Sequence, residues 1–299
     1  MDEPNRLGRR AALGGFVAAA TALVSPDGGA APQGSVSRVG RLKQSVCRWT
    51  VDSRGQTPLP DVCHRAKQIG LVAIDLLYPD EWPIAQDAGL TVSMTYASRN
   101  NARGFIATGF NTVANHAALL TDLEEVIPLA AKAKVPNVIA MFGNRVPGME
   151  EAEAIDNCIS GLSKIAPLAA ENGVTVCVEL LNSKVNHKGY QGDHTAFGVA
   201  VMRGVNSPNV KLLYDIYHMQ IMEGDVISTI RDNAQWIGHF HTGGVPGRHE
   251  INDTQELNYR GIAVAIADLP FPGYVAHEFV STRTDPFESL AEAYAICTV

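Results

Sequence analysis

The chain alternates eight times between short predicted strands, several of them nearly continuous runs of Val, Ile and Leu, and longer segments with helical character. The runs predicted as strands are Ser45–Trp49, Val72–Leu77, Thr91–Tyr96, Asn137–Phe142, Thr175–Glu179, Val210–Asp215, Ile237–His241 and Tyr274–Glu278. Nearly continuous apolar strands that alternate with helices are typical of a parallel sheet whose faces are covered by helices. This alternation places the chain in the α/β class.

Two architectures of that class fit the alternation, an open doubly wound sheet and a closed barrel. A doubly wound sheet that binds a nucleotide carries a glycine-rich phosphate loop after its first strand, and this chain has none there. Eight strand–helix units agree with the usual length of the closed barrel. We therefore predict one (β/α)₈ TIM barrel domain over residues 44–299, preceded by a linker at residues 32–43.

Two segments outside the predicted strands carry informative signals. The predicted helix Met149–Asn172 is followed by Gly173, the residue type that most easily ends a helix in the left-handed conformation. The segment Ala97–Asn111 is long, polar and rich in Arg, Asn and Gly. Loops of that length on the catalytic face of a barrel often cover a site, so we expect this loop near the functional residues.

Residues 1–31 are predicted to be an export signal rather than part of the fold. Arg9 and Arg10 precede a 14-residue apolar run, and small residues follow it. The arginine pair resembles a twin-arginine signal, although Gly8 and Ala12 stand where Ser or Thr and Phe are usual. A membrane anchor is the alternative, but a run of this length with two glycines is short for a bilayer. We expect an exported, periplasmic protein.

The charge of the chain bears on its partners. Lys and Arg number 24 against 31 Asp and Glu, so the formal net charge is −7. An acidic chain is a poor partner for nucleic acid or an anionic membrane. We expect a small-molecule substrate, no nucleic acid and no membrane span in the mature chain, and we leave open whether a homo-oligomer forms. The five cysteines are an odd number without a C-x-x-C pair, which argues against a full disulfide framework.

Four potential metal ligands end predicted strands five to eight. They are Glu179, Asp215, His241 and Glu278, at intervals of 36, 26 and 37 residues, about one strand–helix unit each time. The C-terminal ends of barrel strands converge on one mouth, so we expect the four side chains to meet at a single ion. Three carboxylates and one imidazole suit Mn²⁺ or Mg²⁺ better than a thiolate-bound zinc. For Glu179 or Asp215 alone, a structural carboxylate is an equal alternative, and His239 is predicted to be a hydrogen-bonded core residue.

The two glutamates of this set indicate a reaction. Carboxylates on either side of a metal ion can remove a proton from a carbon next to a carbonyl and return it to the neighbouring carbon. The result is an aldose–ketose type isomerisation, or an epimerisation if the proton returns to the same carbon. Asn182, His218 and Arg248 follow strands five, six and seven and are candidates for substrate contact. The guanidinium of Arg248 is suited to hold a substrate carboxylate, with a solvated loop arginine as the alternative.

Four short motifs surround these residues. They are Val178-Glu-Leu-Leu-Asn182, Tyr214-Asp-Ile-Tyr-His-Met-Gln220, Gly238-His-Phe-His-Thr-Gly-Gly-Val-Pro-Gly-Arg-His-Glu250 and His277-Glu-Phe279. Because of these motifs, the chain resembles the xylose-isomerase-like barrel superfamily. Within that superfamily it resembles the hydroxypyruvate isomerase family most. The resemblance implies a divalent-metal site made of the four strand-end residues, with Glu179 and Glu278 as the acid–base pair. It also implies that His218 and Arg248 contact the substrate.

One position departs from the pattern of that family. The hydroxypyruvate isomerases tend to carry Gln where His241 stands, whereas the related ketose 3-epimerases carry His. The leading expectation is an isomerase that converts hydroxypyruvate to tartronate semialdehyde, and a sugar 2- or 3-epimerase is the alternative that His241 favours. An exported carbohydrate-binding barrel without catalysis is an alternative of another class, and the complete ligand set argues against it.

Overall fold

The structure, a computed structural model, describes residues 40–52, 55–99 and 104–299. The predicted export signal in residues 1–31 and most of the predicted linker lie outside the described residues. Within the described part, eight parallel strands pair in chain order, and the last strand pairs with the first to close a barrel. The prediction of a (β/α)₈ barrel is confirmed.

The barrel strands are short and the helices alternate with them. The strands are β1 Lys43–Cys47, β2 Ala73–Leu77, β3 Thr91–Thr95, β4 Asn137–Met141, β5 Thr175–Leu180, β6 Val210–Asp215, β7 Ile237–Thr242 and β8 Tyr274–His277. The α-helices are α1 Arg48–Val51, α2 Leu59–Ile69, α3 Trp82–Asp87, α4 His116–Ala133, α5 Glu151–Asn172, α6 Thr195–Val205, α7 Ile216–Met222, α8 Val226–Asn233, α9 Tyr259–Ala267 and α10 Pro286–Cys297. None of the helices in the described residues is long and apolar enough to cross a membrane.

The observed elements differ from the predicted ones mainly at two places. β1 starts at Lys43 and ends at Cys47, so Lys43 belongs to the barrel rather than to the linker, and Trp49 lies in α1 rather than in the strand. Helix α7, directly after β6, was not predicted. Asp215 caps this helix, because its carboxylate accepts a hydrogen bond from the backbone N–H of His218 (3.0 Å).

Apolar side chains fill the space between the strands and the helices. Val176 and Val178 of β5 and Leu162 of α5 are fully buried, and each such aliphatic side chain contributes about 1.5–3 kcal/mol through burial. Gly173 ends α5 with a φ of +63°, as predicted. The five cysteines are all buried and unpaired, in agreement with the predicted lack of a disulfide framework. This packing holds the strand ends in fixed positions.

Strand β2 is irregular near its C-terminal end. Its register against β3 shifts on both sides of Asp75, and Leu76 has a φ of +59°. A left-handed backbone at a residue with a Cβ is uncommon and costs about 1–3 kcal/mol. The irregularity is a β-bulge, a feature that changes the direction of side chains next to it.

The loop that joins β7 to α9 is anchored by Glu250. Its carboxylate accepts hydrogen bonds from the Thr282 backbone N–H (2.7 Å) and from the hydroxyls of Thr282 (3.0 Å) and Ser289 (2.8 Å). Burial alone would raise the pKa of Glu250, but these donors outweigh it and lower the pKa to about 2. The charged form of Glu250 therefore stabilises the fold.

Replacing Glu250 by Gln is expected to lower the free energy of unfolding at neutral pH by about 1.5–3 kcal/mol, the range for hydrogen bonds to a charged group. The folded pKa lies below the unfolded value of about 4.3, so the stabilisation is present above that value and is lost as the pH falls towards 2. Urea unfolding followed by circular dichroism at pH 7 and at pH 3 measures both effects. A stability difference that does not change with pH would contradict this prediction.

Candidate active site

The C-terminal ends of β5 to β8 bring Glu179, Asp215, His241 and Glu278 together at one mouth of the barrel. One ligand-type atom of each residue lies within 4.8 Å of those of the other three. Asp215 and His241 are opposite each other in the register of β6 and β7, while Glu179 is the penultimate residue of β5 and Glu278 directly follows β8. All four residues are buried. The structure thus brings together the residues that the strand positions single out.

His241 lies in the middle of this cluster. Its Nδ1 is 2.9 Å from Oε2 of Glu278 and 3.4 Å from Oε1 of Glu179, whereas its Nε2 is 3.0 Å from Oδ2 of Asp75. Burial would lower the pKa of an imidazole, but Cys47 and the carboxylates of Glu278 and Asp75 outweigh it, and the pKa of His241 is raised. Each nitrogen of the ring therefore faces at least one carboxylate.

The three carboxylates of the cluster differ in how strongly the surrounding groups stabilise their negative charge. Burial opposes the ionisation of Glu278, but Arg248 and His241 outweigh it and hold the pKa of Glu278 below its usual range. At Glu179 and Asp215 burial dominates and raises the pKa of both carboxyls, to about 8 for Asp215. Acidic groups that are collected away from water in this way favour the binding of a cation.

The donor atoms of the cluster fit a divalent cation. Asp215 uses Oδ1 to cap α7, but its Oδ2 has no hydrogen-bond partner among the described residues and has only the Arg248 guanidinium 3.5 Å away. A buried polar atom without a partner costs about 1–3 kcal/mol unless another group satisfies it. Carboxylate and imidazole ligands suit Mn²⁺ and Mg²⁺. The four residues together are able to hold such an ion.

Arg248 reaches into the cluster from the loop after β7. Its Nη2 is 2.6 Å from Oε2 of Glu278 and 3.5 Å from Oδ2 of Asp215. Its backbone has a φ of +60° and is held by hydrogen bonds from its N–H to the Gly244 carbonyl (2.8 Å) and from the Val280 N–H to its own carbonyl (2.6 Å). The Nε of Arg248 is buried and has no hydrogen-bond partner in the described part of the chain.

His218 and Asn182 form a buried pair beside Asp215. The Asn182 backbone N–H donates to Nδ1 of His218 (3.1 Å) and burial lowers the pKa of the ring, so His218 is neutral and carries its proton on Nε2. That Nε2 is 3.6 Å from Oδ2 of Asp215 and lacks a hydrogen-bond partner within the described ranges. The Asn182 side-chain oxygen accepts from the N–H groups of Val185 and Asn186. His218 thus presents a free donor that Asn182 supports, and direct contact of Asn182 with substrate stays a prediction.

Two side chains at the mouth were given no role from the sequence. Trp49 of α1 donates from Nε1 to Oε1 of Glu278 (2.9 Å). His187 lines the pocket, and its ring centre is 5.2 Å from that of His218. Both residues lie after a strand rather than in it, where the final position depends on long-range contacts that local patterns do not reveal.

Asp75 is a third residue that was missed. It is fully buried in β2, where Oδ1 is 3.3 Å from Nε2 of His239 and Oδ2 contacts His241. His239 is also fully buried, as predicted for a core residue, but neither of its ring nitrogens has a hydrogen-bond partner among the described residues. A charged residue inside the apolar run Val72–Leu77 is a signal that could have found Asp75, because such residues are almost never fully buried without a partner.

A cavity of about 180 Å³ opens beside the cluster. Its polar side is formed by Glu179, Glu278, Arg248 and His187, and the opposite wall is mostly apolar and aromatic. Phe105 and Ile106 of this wall come from the polar loop that was expected near the site. Since benzene occupies a cavity of roughly 150 Å³, this pocket is suited to a compound of a few carbon atoms.

Comparison with known proteins gives a family and named relatives. A family described as "Xylose isomerase-like TIM barrel" matches residues 78–296. A 2-oxo-tetronate isomerase of Cupriavidus necator is 30% identical over 216 residues, which cover 70% of this chain and 82% of that protein. A protein of Mus musculus named "Putative hydroxypyruvate isomerase" is 27% identical over 245 residues, which cover 78% of this chain and 87% of that protein.

One solved structure illustrates the breadth of the fold. The crystal structure of an AP endonuclease of family 2 from Brucella melitensis has a TM-score of 0.73 with 23% sequence identity. The match covers 84% of this chain and 97% of that one. A likeness at this identity shows the shared barrel and nothing about the reaction.

Proposed function

Because the chain belongs to the xylose isomerase-like TIM barrel family, we propose that its mouth moves a proton between adjacent carbons of a small hydroxy-carbonyl compound. Its relatives are isomerases by name, and the protein is an isomerase. The leading reaction is the conversion of hydroxypyruvate to tartronate semialdehyde. The observation that carries this proposal is the position of Glu179 and Glu278, whose carboxylate oxygens lie 3.4 and 2.9 Å from Nδ1 of His241.

The reaction removes a proton from C3 of hydroxypyruvate and returns one to C2, while the hydroxyl proton passes from the C3 oxygen to the C2 oxygen. Glu179, Asp215, His241 and Glu278 would hold a divalent cation, which would stabilise the negative charge that develops when the proton leaves. Glu179 and Glu278 are the two carboxylates next to Nδ1 of His241, so one of them is suited to take the proton. The other carboxylate, or the same one, then returns a proton to the neighbouring carbon.

Two donors beside the cluster are suited to orient the substrate. The Nε–H of Arg248 and the Nε2–H of His218 have no hydrogen-bond partner among the residues described. A guanidinium that offers a free N–H next to a pocket is matched to a carboxylate, which accepts a charge-assisted hydrogen bond. Hydroxypyruvate carries such a carboxylate and a ketohexose does not.

Replacing Arg248 by Ala is expected to raise the KM for hydroxypyruvate by about 10-fold or more, because a hydrogen bond to a charged group contributes about 1.5–3 kcal/mol. The KM for a neutral ketose is expected to change less. The variant also removes a partner of Glu278, an effect common to all substrates, so the ratio of the two KM changes isolates the carboxylate contact.

Steady-state kinetics on both substrates provide the measurement for this variant. Arg283→Ala is the matched control, because Arg283 lies in the loop after β8 and pairs with Glu292 (2.5 Å). An equal rise in KM for the neutral sugar would refute the carboxylate role of Arg248.

The proposed function is tested by turnover after reconstitution with Mn²⁺ or Mg²⁺, with hydroxypyruvate and a small panel of ketohexoses as substrates. Solvent-deuterium incorporation followed by NMR reports the proton transfer. Exchange at the carbon next to the carbonyl of hydroxypyruvate, lost with EDTA, supports the isomerase proposal. Exchange in the sugars alone would move the protein to the epimerases, and no exchange in any substrate would favour a binding protein without catalysis.

A ketose 3-epimerase, or another sugar isomerase, is the second candidate. His241 favours it, because the family resemblance associates His with the epimerases at this position and Gln with the hydroxypyruvate isomerases. The epimerase would use the same carboxylates, with the proton returned to the carbon it left.

A further inference from the structure

Asp75 lies below the proposed ligands and takes no part in the reaction described above. Its Oδ2 is 3.0 Å from Nε2 of His241, and its Oδ1 is 3.3 Å from Nε2 of His239. The Ser93 hydroxyl also donates to Oδ1, and the thiol of Cys47 is 3.7 Å from Oδ2. A fully buried carboxylate at the centre of a barrel is costly, so its contacts point to a task.

We infer that Asp75 is a positioning residue that accepts the Nε2–H of His241 and thereby presents Nδ1 to the cation. This inference rests on the proposed function, in which His241 is a ligand. An imidazole nitrogen that donates a hydrogen bond cannot bind a metal, so the partner of one nitrogen decides which nitrogen is the ligand. The Nδ1 of His241 is the nitrogen that faces Glu278 and Glu179.

The bulge in β2 supplies the geometry that this task needs. In a regular strand, consecutive side chains point to opposite faces of the sheet. Here the shifts in register around Asp75, together with the left-handed backbone of Leu76, turn both side chains inward. Asp75 therefore reaches His241, and Leu76 lines the pocket. The backbone strain of about 1–3 kcal/mol at Leu76 is thereby explained, because this conformation directs Asp75 towards His241.

A second arrangement of the same atoms competes with this one. Cys47, Asp75 and His241 offer donor atoms within 4.8 Å of one another, and a cation there would make Asp75 a ligand and use Nε2 of His241. The distance of 3.0 Å between Nε2 and Oδ2 is that of a hydrogen bond. The Sγ of Cys47 is 3.7 Å from Oδ2, within the range of a weak thiol hydrogen bond. The geometry favours the hydrogen bond.

The first test is calorimetric titration of the full chain with Mn²⁺ alone. Asp75→Asn keeps the shape of the side chain, but its amide is able to turn an N–H towards Nε2, so the fixed donor–acceptor pair is lost. The Kd for Mn²⁺ is expected to rise about 10–100-fold, the usual effect of removing the partner of a ligating histidine. Ser93→Ala is the control, because it removes the hydrogen bond to the carboxylate oxygen that does not face His241, and it is expected to leave the Kd close to that of the wild type.

The second test uses the wild-type protein and remains available if Asp75→Asn does not fold. Long-range ¹H–¹⁵N correlations of the histidine-labelled, Mg²⁺-loaded protein distinguish a protonated nitrogen from a bare one. The His241 signals are assigned by their disappearance in His241→Gln. We expect the proton on Nε2 and a metal-bound Nδ1.

The outcomes separate this inference from the proposed function. A wild-type protein that binds neither Mn²⁺ nor Mg²⁺ overturns both. Binding by the wild type with an unchanged Kd in Asp75→Asn, an equal rise in both variants, or a proton on Nδ1 overturns the positioning role alone. A thiolate charge-transfer band in the Co²⁺-loaded protein that is lost in Cys47→Ser would place the cation at the lower set of donors and also overturn it.

Discussion

Replacing Glu278 by Gln is expected to lower the turnover of hydroxypyruvate by about 10²–10⁴-fold, the range ascribed to a positioned acid or base. Glutamine has nearly the same shape and keeps an oxygen for the hydrogen bond from Trp49 (2.9 Å), but it carries no charge and accepts no proton. Arg248 and His241, now 2.6 and 2.9 Å from the second carboxylate oxygen, would also lose their anionic partner. Deuterium exchange at C3 measures the lost step.

The matched control for this substitution is Glu288→Gln in the first turn of α10, where the side chain is exposed. It is expected to turn over like the wild type, and both variants are expected to keep the circular-dichroism spectrum of the folded barrel. Turnover of Glu278→Gln at the wild-type rate would remove Glu278 from the mechanism.

Adding Mn²⁺ to the EDTA-treated protein is expected to restore turnover and to raise the melting temperature by about 5–10 °C. The reason is that an ion at roughly 100 times its Kd adds about 2.7 kcal/mol to the free energy of unfolding. Each kcal/mol raises the melting temperature of a domain of this size by about 2–4 °C. The ion would also relieve the mutual repulsion of three carboxylates whose ligand atoms lie within 4.8 Å. Differential scanning calorimetry with and without Mn²⁺ provides the measurement.

Asp215→Asn distinguishes the effect of the bound ion on the melting temperature from a general effect on the stability of the fold. Burial raises the pKa of Asp215, which means that the folded protein disfavours its charge. Asparagine keeps the oxygen that caps α7, so the EDTA-treated variant is expected to melt no lower than the wild type. The Mn²⁺-dependent shift is expected to be lost. A full shift in this variant would mean that the ion binds elsewhere.

The barrel was predictable because several of its strands are short apolar runs that alternate with helices, which is what a sheet buried on both faces requires. The pattern fails where one apolar run serves two elements. Ile216–Met222 continues the apolar character of β6, so the start of α7 is marked only by the hydrogen bond of Asp215 to the N–H of His218. Such a cap depends on a conformation that hydrophobic periodicity does not encode.

The cluster itself was predictable for a topological reason. Strands that run parallel around a closed barrel end on the same rim, so residues at their C-terminal ends meet whatever the intervening helices contain. Trp49, His187 and Asp75 obey no such rule. The first two depend on how segments fold over the rim, and the third depends on a bulge at Leu76 that no local pattern announces.

The loops on the catalytic face of a barrel are commonly regarded as modules that change independently of one another. Here the Glu278 carboxylate receives Trp49 from the segment after β1 and Arg248 from the loop after β7. Glu250 ties this second loop to the segment after β8. One ionised group is thus shared among three segments, and exchanging any one of them disturbs the others. New substrate preferences are therefore expected to arise through point substitutions in the apolar wall rather than through loop exchange.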